Sequence, residues 1–270
     1  PLYLATTNRP GARFGPTALR AVTPGISWAR PWTWDFDPFD RLAVIDYGDC
    51  EFDYGEPETI VPFIQKHIAE ILEHGAASLV LGGDHFVTYP VLKAYAEKYG
   101  PLSLLHFDAH SDTWSEKTRR LDQGTMFYHA VKEGLVEVRR SVQIGQRTTN
   151  YEPLNFIILD SRWVHGNGPQ AVVDEVRRIL GDNRVYLTFD IDCLDPSFAP
   201  GTGTPVCGGL STHQALEIIR GLAGINLVGM DIVEVAPAYD VGEITALAGA
   251  SLAAEFLCLY AANPQRGKVA

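Results

Sequence analysis

Short apolar runs rich in β-branched residues alternate along this chain with segments whose apolar positions recur every three to four residues. The runs Leu42–Tyr47, Ser78–Gly82, Leu102–Phe107, Ser141–Gly145, Phe156–Leu159, Arg184–Asp190 and Leu227–Val233 predict strands. The periodic segments predict helices over Glu58–His74, Val87–Lys98, Gln170–Leu180, His213–Leu222 and Glu243–Ala261. In the first of these, Ile60, Val61, Ile64, Ile68, Ile71 and Leu72 fall on one face, and Gly75 follows as a stop. Strands alternating with helices of this length pair in parallel through right-handed crossovers, and strands apolar on both faces need helices on each side. The pattern therefore predicts an α/β fold, with residues 1–270 as one domain, since no linker, repeat or low-complexity tract interrupts it. Pro1 to Thr7 reads as a strand fragment rather than a signal peptide, so an N-terminal segment is expected to be missing upstream. Two stretches carry no regular pattern: Ile26 to Asp40, with three tryptophans, and Thr113 to Gln123. Loops of this length in a compact domain are often functional.

Composition narrows the function classes. The net charge of −11 disfavours a nucleic-acid binder, which needs a basic face to neutralise phosphates. Cys50, Cys193, Cys207 and Cys258 are far apart and form no Cys-x-x-Cys pair, so they read as reduced thiols of a cytoplasmic protein. No apolar run reads as a membrane span, so no membrane partner is expected.

In an open parallel sheet, ligands collect at the carboxyl ends of the strands. There this chain places Gly82-Gly83-Asp84-His85, then Asp108-Ala109-His110-Ser111-Asp112, then Asp190-Ile191-Asp192, and finally Asp231 and Glu234. A lone Asp or His after a strand is ordinarily a turn, cap or packing residue. Two histidines and at least four carboxylates on one rim are different, because they repel unless cations neutralise them. The spacings Asp108-x-His110-x-Asp112 and Asp190-x-Asp192 also point alternate side chains the same way in extended backbone. Nitrogen and oxygen donors without thiolate suit Mn, Ni, Zn or similar divalent ions. So many donors suit two carboxylate-bridged ions, which lower the pKa of a shared water and make metal-assisted hydrolysis the predicted reaction class.

These motifs resemble the three signatures of the ureohydrolases, the arginase–agmatinase family: Gly82-Gly83-Asp84-His85, Asp108-Ala109-His110-Ser111-Asp112, and Thr188 through Pro196. The resemblance spans nearly the whole chain, from Gly11-Ala12-Arg13-Phe14-Gly15-Pro16 to Glu243-Ile244-Thr245-Ala246-Leu247. Gly124-Thr125-Met126-Phe127-Tyr128, Ala199 to Val206 and Val233 to Asp240 look most like the bacterial agmatinase branch. The resemblance implies a three-layer α/β/α fold around an eight-stranded parallel sheet. It implies a binuclear site, with Mn2+ as first choice and Ni2+ as the alternative. One ion would take His85, Asp108, Asp112 and Asp190, and the other Asp108, His110, Asp190 and Asp192. Asp112 would orient the attacking hydroxide, Glu234 would hold the guanidinium and Thr204 would support it, whereas Asp195 would tie down the turn before Pro196. The substrate would be a small cationic guanidino compound, agmatine first, cleaved to urea and an amine. The family's habit implies a homo-oligomer, a trimer or paired trimers forming a hexamer.

The sequence departs from that branch at two places. Gln123 stands where the family carries a catalytic histidine, and a neutral amide cannot take up a proton near pH 7. Either water or Asp122 covers the role, or substrate choice and rate are altered; His129 lies on the following helix and is a poor stand-in. Trp114 stands where arginases place a substrate-binding asparagine, which argues against arginine and suits an alkyl chain or cation instead. Lys117, Arg119 and Arg120 read as a solvated cluster; pointing inward, they would favour a carboxylate-bearing substrate such as 4-guanidinobutyrate. Guanidine, an alkylguanidine or a biguanide such as metformin stays open, as does a catalytically weak subunit in a hetero-oligomer with an active paralogue. The tryptophan-rich stretch Ser27 to Asp37 belongs either to an interface or to the pocket rim.

Overall fold

The computed structural model describes residues 7–26, 30–114, 120–150 and 154–264. Among them, one sheet holds six strands: β1 (Leu79–Leu81), β2 (Ser103–Phe107), β3 (Val142–Ile144), β4 (Ile157–Leu159), β5 (Val185–Asp190) and β6 (Leu227–Val233). The order is β1-β6-β5-β2-β3-β4, and every neighbouring pair is parallel. The helices are α1 (Gly15–Val22), α2 (Pro57–Glu73), α3 (Thr88–Tyr99), α4 (Met126–Lys132), α5 (Ser161–Leu180), α6 (Thr212–Gly221) and α7 (Ile244–Ala261).

Strand alternation builds two cores. Leu105 and Phe107 of β2 and Val185, Leu187 and Phe189 of β5 join a core with α1, α5, α6 and α7. Leu104 and Tyr186 point the other way, into a core with α2, α3 and α4. The result is the three-layer α/β/α arrangement expected.

Four expectations need correction. The eight-stranded sheet is six-stranded among the described residues. Of the two additional candidate segments, residues 1–6 of the Pro1–Thr7 fragment lie outside the described residues, and Leu42–Tyr47 forms no strand. Among the described residues no strand lies beside that run to complete a ladder, and Ile45 and Tyr47 are 74% and 61% exposed. The helix expected from Gln170 begins at Ser161, capped by Asp160, and Gly168 at φ 79° interrupts its helical geometry, which is why Gly166, Gly168 and Pro169 read as breakers. Finally, α7 is long and apolar enough by length and composition to cross a membrane, with mean hydropathy 1.6. Its packing accounts for that character: 61% of it is buried, with Leu252, Phe256 and Leu259 in the core beside α1 and α6. Helices α1 and α4 are additions to the predicted pattern. All four cysteines are free.

Candidate metal centre and substrate cavity

The carboxyl ends of β1, β2, β5 and β6 adjoin in the sheet, so the loops that follow them meet. Gly82 closes β1 where no side chain fits: a Cβ would lie 2.8 Å from both Val233 and Val87. The chain then turns and buries His85 at the centre of the rim, 1% exposed. Its Nδ1 lies 3.1 Å from Asp108 Oδ2, 3.0 Å from Asp112 Oδ2 and 3.4 Å from Asp190 Oδ2. Nδ1 makes a well-formed hydrogen bond to none of these oxygens. An atom at the shared focus of three carboxylates is placed as a ligand is placed, rather than as half of an ion pair. Alongside, His110 Nδ1 lies 3.2 Å from Asp108 Oδ1 and 3.1 Å from Asp192 Oδ2. Two donor groups follow, His85–His106–Asp108–Asp112 and Asp108–His110–Asp192, with the donor atoms of each group within 4.8 Å of one another. Asp108 is common to both.

The electrostatics of the cluster favour bound cationic charge. Burial, then the Asp108 charge, pushes the Asp112 carboxyl up to about 7. Burial and the charges of Asp192 and Asp108 push Asp190 well above the usual carboxylate range. Burial opposes charge on His110, but Asp192 and Asp108 outweigh it and raise the imidazole to about 12. Without a cation these groups must hold protons; divalent ions take that place when the donors are oxygen and imidazole nitrogen. The residues present therefore fit a binuclear divalent site.

A buried row of polar side chains beneath the rim was not assigned from the sequence. Register aligns Gln143 of β3, His106 of β2, Thr188 of β5 and Asp231 of β6 across four adjacent strands, all 0% exposed. The proton directions along this row are determined by its ends. Thr188 Oγ1 donates to Asp231 Oδ1 at 2.6 Å, so it must accept from His85 Nε2 at 2.8 Å. That leaves His85 Nδ1 as the atom facing the carboxylates. Tyr186 and Thr88 also donate to Asp231, each at 2.9 Å, satisfying the buried carboxylate. On the other side, Gln146 donates to Gln143 Oε1 at 2.6 Å, and Gln143 Nε2 donates to His106 Nδ1 at 2.9 Å and to Ser111 O at 2.8 Å. His106 Nε2 therefore donates to Asp108 Oδ2 at 2.8 Å. Asp231, counted among the rim carboxylates by sequence position, is corrected: it lies inside β6 and acts on His85 through Thr188. The signal available in the sequence was polar residues at one register within otherwise apolar strands.

The cavity above this floor encloses about 190 Å³ and is lined in part by His110, Asp112, Trp114, Gln123, Thr204 and Glu234. That is below the roughly 300–1,000 Å³ of drug-sized sites and suits a small substrate. Glu234 Oε1 accepts the His85 backbone N–H at 2.8 Å, and its Oε2 faces the Cα of Gly203, where a Cβ would come within 3.4 Å. Burial, then the Asp84 charge, raises Glu234 well above its ordinary value, so it calls for a cationic partner. Asp112 and Glu234 both hold left-handed backbone, at φ 52° and 63°, a strain that concentrates at functional sites. Thr204 donates to Asp192 Oδ2 at 3.0 Å, so its hydroxyl faces the donor cluster rather than Glu234. Trp114 lines the cavity wall, its ring 6.2 Å from that of His110 and packed on Gly124. Gln123 donates from Nε2 to Thr7 Oγ1 at 3.1 Å. Arg120 pairs with Asp122. Lys117 and Arg119 lie outside the described residues, as does residues 27–29 of the tryptophan-rich stretch. His129 turns to the Arg120 carbonyl, 2.9 Å away, and does not replace the missing imidazole. Asp195 is structural, as expected: it accepts from the backbone of Ser197, Gly208 and Gly209.

The model of the arginase family matches residues 1–259. The chain belongs to the arginase family. This arginase-family protein is a ureohydrolase, a hydrolase of C–N bonds in non-peptide amidines. It is 57% identical over 261 residues to an agmatinase of Chromobacterium violaceum, covering 96% of this chain and 81% of that one. A crystal structure of a hypothetical agmatinase from Burkholderia thailandensis superposes with TM-score 0.95 at 57% identity, covering 97% of this chain and 84% of that one. Proclavaminate amidino hydrolase from Streptomyces clavuligerus superposes with TM-score 0.90 at 35% identity, covering 95% and 88%.

Proposed function

We propose that this arginase-family enzyme hydrolyses agmatine to putrescine and urea with two divalent cations, Mn2+ first and Ni2+ as the alternative. The observation that carries the reading is His85 Nδ1, buried at the focus of Asp108, Asp112 and Asp190, one shell away from Glu234. The similarity to agmatinases at up to 57% identity supports the substrate. His85, Asp108, Asp112 and Asp190 would hold one cation, and Asp108, His110, Asp190 and Asp192 the other. Bound there, a cation pair supplies Lewis acidity that lowers the pKa of water from about 15.7 towards 7. Glu234 takes the guanidinium and aligns its carbon over the floor, matching charge and removing orientational freedom. Asp112 orients the attacking hydroxide towards the guanidinium carbon, and proton transfer to the leaving amine accompanies release of urea. Thr204 fixes Asp192, and Trp114 flanks the alkyl chain. Gln123 contributes hydrogen bonding only, since an amide carries no titratable proton near pH 7. The protein is proposed to work in the cytoplasm as a homotrimer or hexamer.

Gln123 also favours a second reading, the same chemistry on another guanidine. Urea release by the purified chain, loaded separately with Mn2+ and Ni2+, tests both. Agmatine, 4-guanidinobutyrate, arginine, guanidine, dimethylguanidine and metformin form the panel. Agmatine is expected to exceed every other compound at least tenfold in kcat/KM. A different winner overturns the substrate, and silence from a chain that binds two metals shifts activity to an oligomer with a paralogue.

A further inference from the structure

Three loops of the rim meet on Arg147, three residues beyond the end of β3. Its Nη2 donates to Asp192 O at 2.6 Å, to Leu194 O at 3.2 Å and to Val206 O at 2.8 Å. Nη1 donates to Cys193 O at 3.3 Å and to Gly145 O at 3.0 Å, and Nε donates to Val206 O at 3.0 Å. The Arg147 backbone N–H donates to Ala109 O at 3.0 Å. Each direction is unambiguous, because guanidinium and backbone N–H groups only donate and carbonyls only accept. Gly209 leaves the room that the guanidinium fills: a Cβ there would lie 2.6 Å from Nη2. The tethered segments carry one half of the donor cluster. Ala109 stands between Asp108 and His110, Cys193 and Leu194 follow Asp192, and Val206 lies just beyond Thr204. These segments converge on the Asp192 carboxylate. Its Oδ1 accepts the Ala109 N–H at 3.1 Å, and its Oδ2 accepts the Thr204 hydroxyl at 3.0 Å and faces His110 Nδ1 at 3.1 Å. His85 is held from elsewhere, by Glu234 at its backbone and by Thr188 at its ring.

We infer that Arg147 is the positioning residue of the Asp108–His110–Asp192 half of the centre: by tying three loops to one guanidinium it holds those donors at the spacing a divalent cation needs, and the His85 half is set independently of it. This rests on the two-cation reading and not on which guanidino compound is the substrate. Asp108 and His110 follow β2, Asp192 follows β5 and Thr204 stands on a further loop. Donors from separate segments bind a cation at full affinity only where those segments are already in register. The residue type suits the task. A guanidinium offers five N–H donors in a fixed planar fork, whereas the single ammonium of lysine cannot serve three loops from one point.

Mn2+ titration of the full chain under a competing chelator tests this without reference to turnover, comparing wild type with Arg147→Lys and Arg147→Gln. The wild type is expected to take up two Mn2+. In both variants one Mn2+ should keep its wild-type affinity within about threefold, and the other should weaken by about 10–100-fold, the scale on which a lost supporting partner acts. At the loading that fills both sites of the wild type, the paramagnetic resonance signal of a coupled Mn2+ pair should give way in the variants to that of an isolated ion. Hydrogen exchange on the metal-free chains reads the same claim with no cation present. Amides of residues 192–195 and 208–210 should exchange at least about tenfold faster in the variants, while those of Gly82 and His85 stay unchanged. Two Mn2+ bound at wild-type affinity, equal weakening of both, or protection lost across the whole chain overturns the inference, the last because Arg147 would then hold the fold rather than one half of the centre. A wild type that takes up fewer than two Mn2+ is a distinct failure, that of the two-cation reading, and the inference falls with it.

Discussion

The floor and the outer wall of the cavity are built in opposite ways. On the floor, His85, Asp108, Asp190 and Asp192 sit at the ends of adjoining strands, each 3% exposed or less, and the sheet row beneath hydrogen-bonds His85 through Thr188 and Asp108 through His106. On the wall, Thr7, Trp114 and Gln123 come from loops: Gln123 donates to Thr7, and Trp114 packs on Gly124 and donates its backbone N–H to the Gly124 carbonyl. The difference teaches a division of labour. Chemistry that needs sub-ångström placement is set on strands and locked from below, whereas selectivity is set on segments that can vary without disturbing the lock.

The strongest way to break this division is to strike the residue shared by both halves of the floor. Asp108 Oδ1 faces His110 Nδ1 and accepts the His110 backbone N–H at 2.6 Å, while Oδ2 accepts from His106 and faces His85. In Asp108→Asn, one amide NH2 must confront existing donors in either orientation. Metal content per chain should fall below one, and urea release should drop at least roughly a thousandfold, with the lost Lewis acidity as the cause. Full metal content with full rate in this variant would remove the floor from the chemistry.

A subtler blow falls on the row beneath. Thr188→Val keeps the volume but deletes the oxygen that receives the His85 Nε2 proton and the proton given to Asp231. Metal affinity should weaken by about 10–100-fold, the usual effect of removing a ligand's supporting partner. Titration with Mn2+ under a competing chelator reads this without reference to turnover. Thr188→Ser retains the hydroxyl and should restore most of the affinity. Equal affinity in the Val and wild-type proteins would show that the row is packing and does not direct the ligands.

Much of the floor was legible in the sequence because strand ends and alternate spacing put Asp108, His110, Asp112, Asp190 and Asp192 in one place. The row beneath was not, because Gln143, His106, Thr188 and Asp231 are distant in the chain and become neighbours only through the order β6-β5-β2-β3. Sheet register is a non-local property that a single strand's pattern does not contain. The wall was legible only as loops. Nothing local to Thr7 says that it reaches Gln123, 116 positions away. The apolar run Leu42–Tyr47 failed for a related reason: local propensity is present, but among the described residues no strand pairs with it.

The smallest expected effect separates two carboxylates that are close in sequence but opposite in environment. Inside the floor, burial and like charge raise Asp190, whereas Asp195 stands just outside it. Burial opposes the charge on Asp195 too, but the donors of Ser197, Gly208 and Gly209 prevail and hold it at about 2. A folded-state pKa below the unfolded value of about 3.9 means that the charge adds stability fully at pH well above 4, and that this contribution fades as the pH falls towards 2. Asp195→Asn should lower Tm at pH 7 by roughly 2–5 °C, since the amide cannot accept all of these bonds. In denaturant titrations, the gap between variant and wild type should narrow steadily from pH 5 to pH 3. Metal content should stay at the wild-type level throughout. A gap that is constant with pH would mean that Asp195 acts through shape and not charge, and a loss of metal would place it in the floor after all.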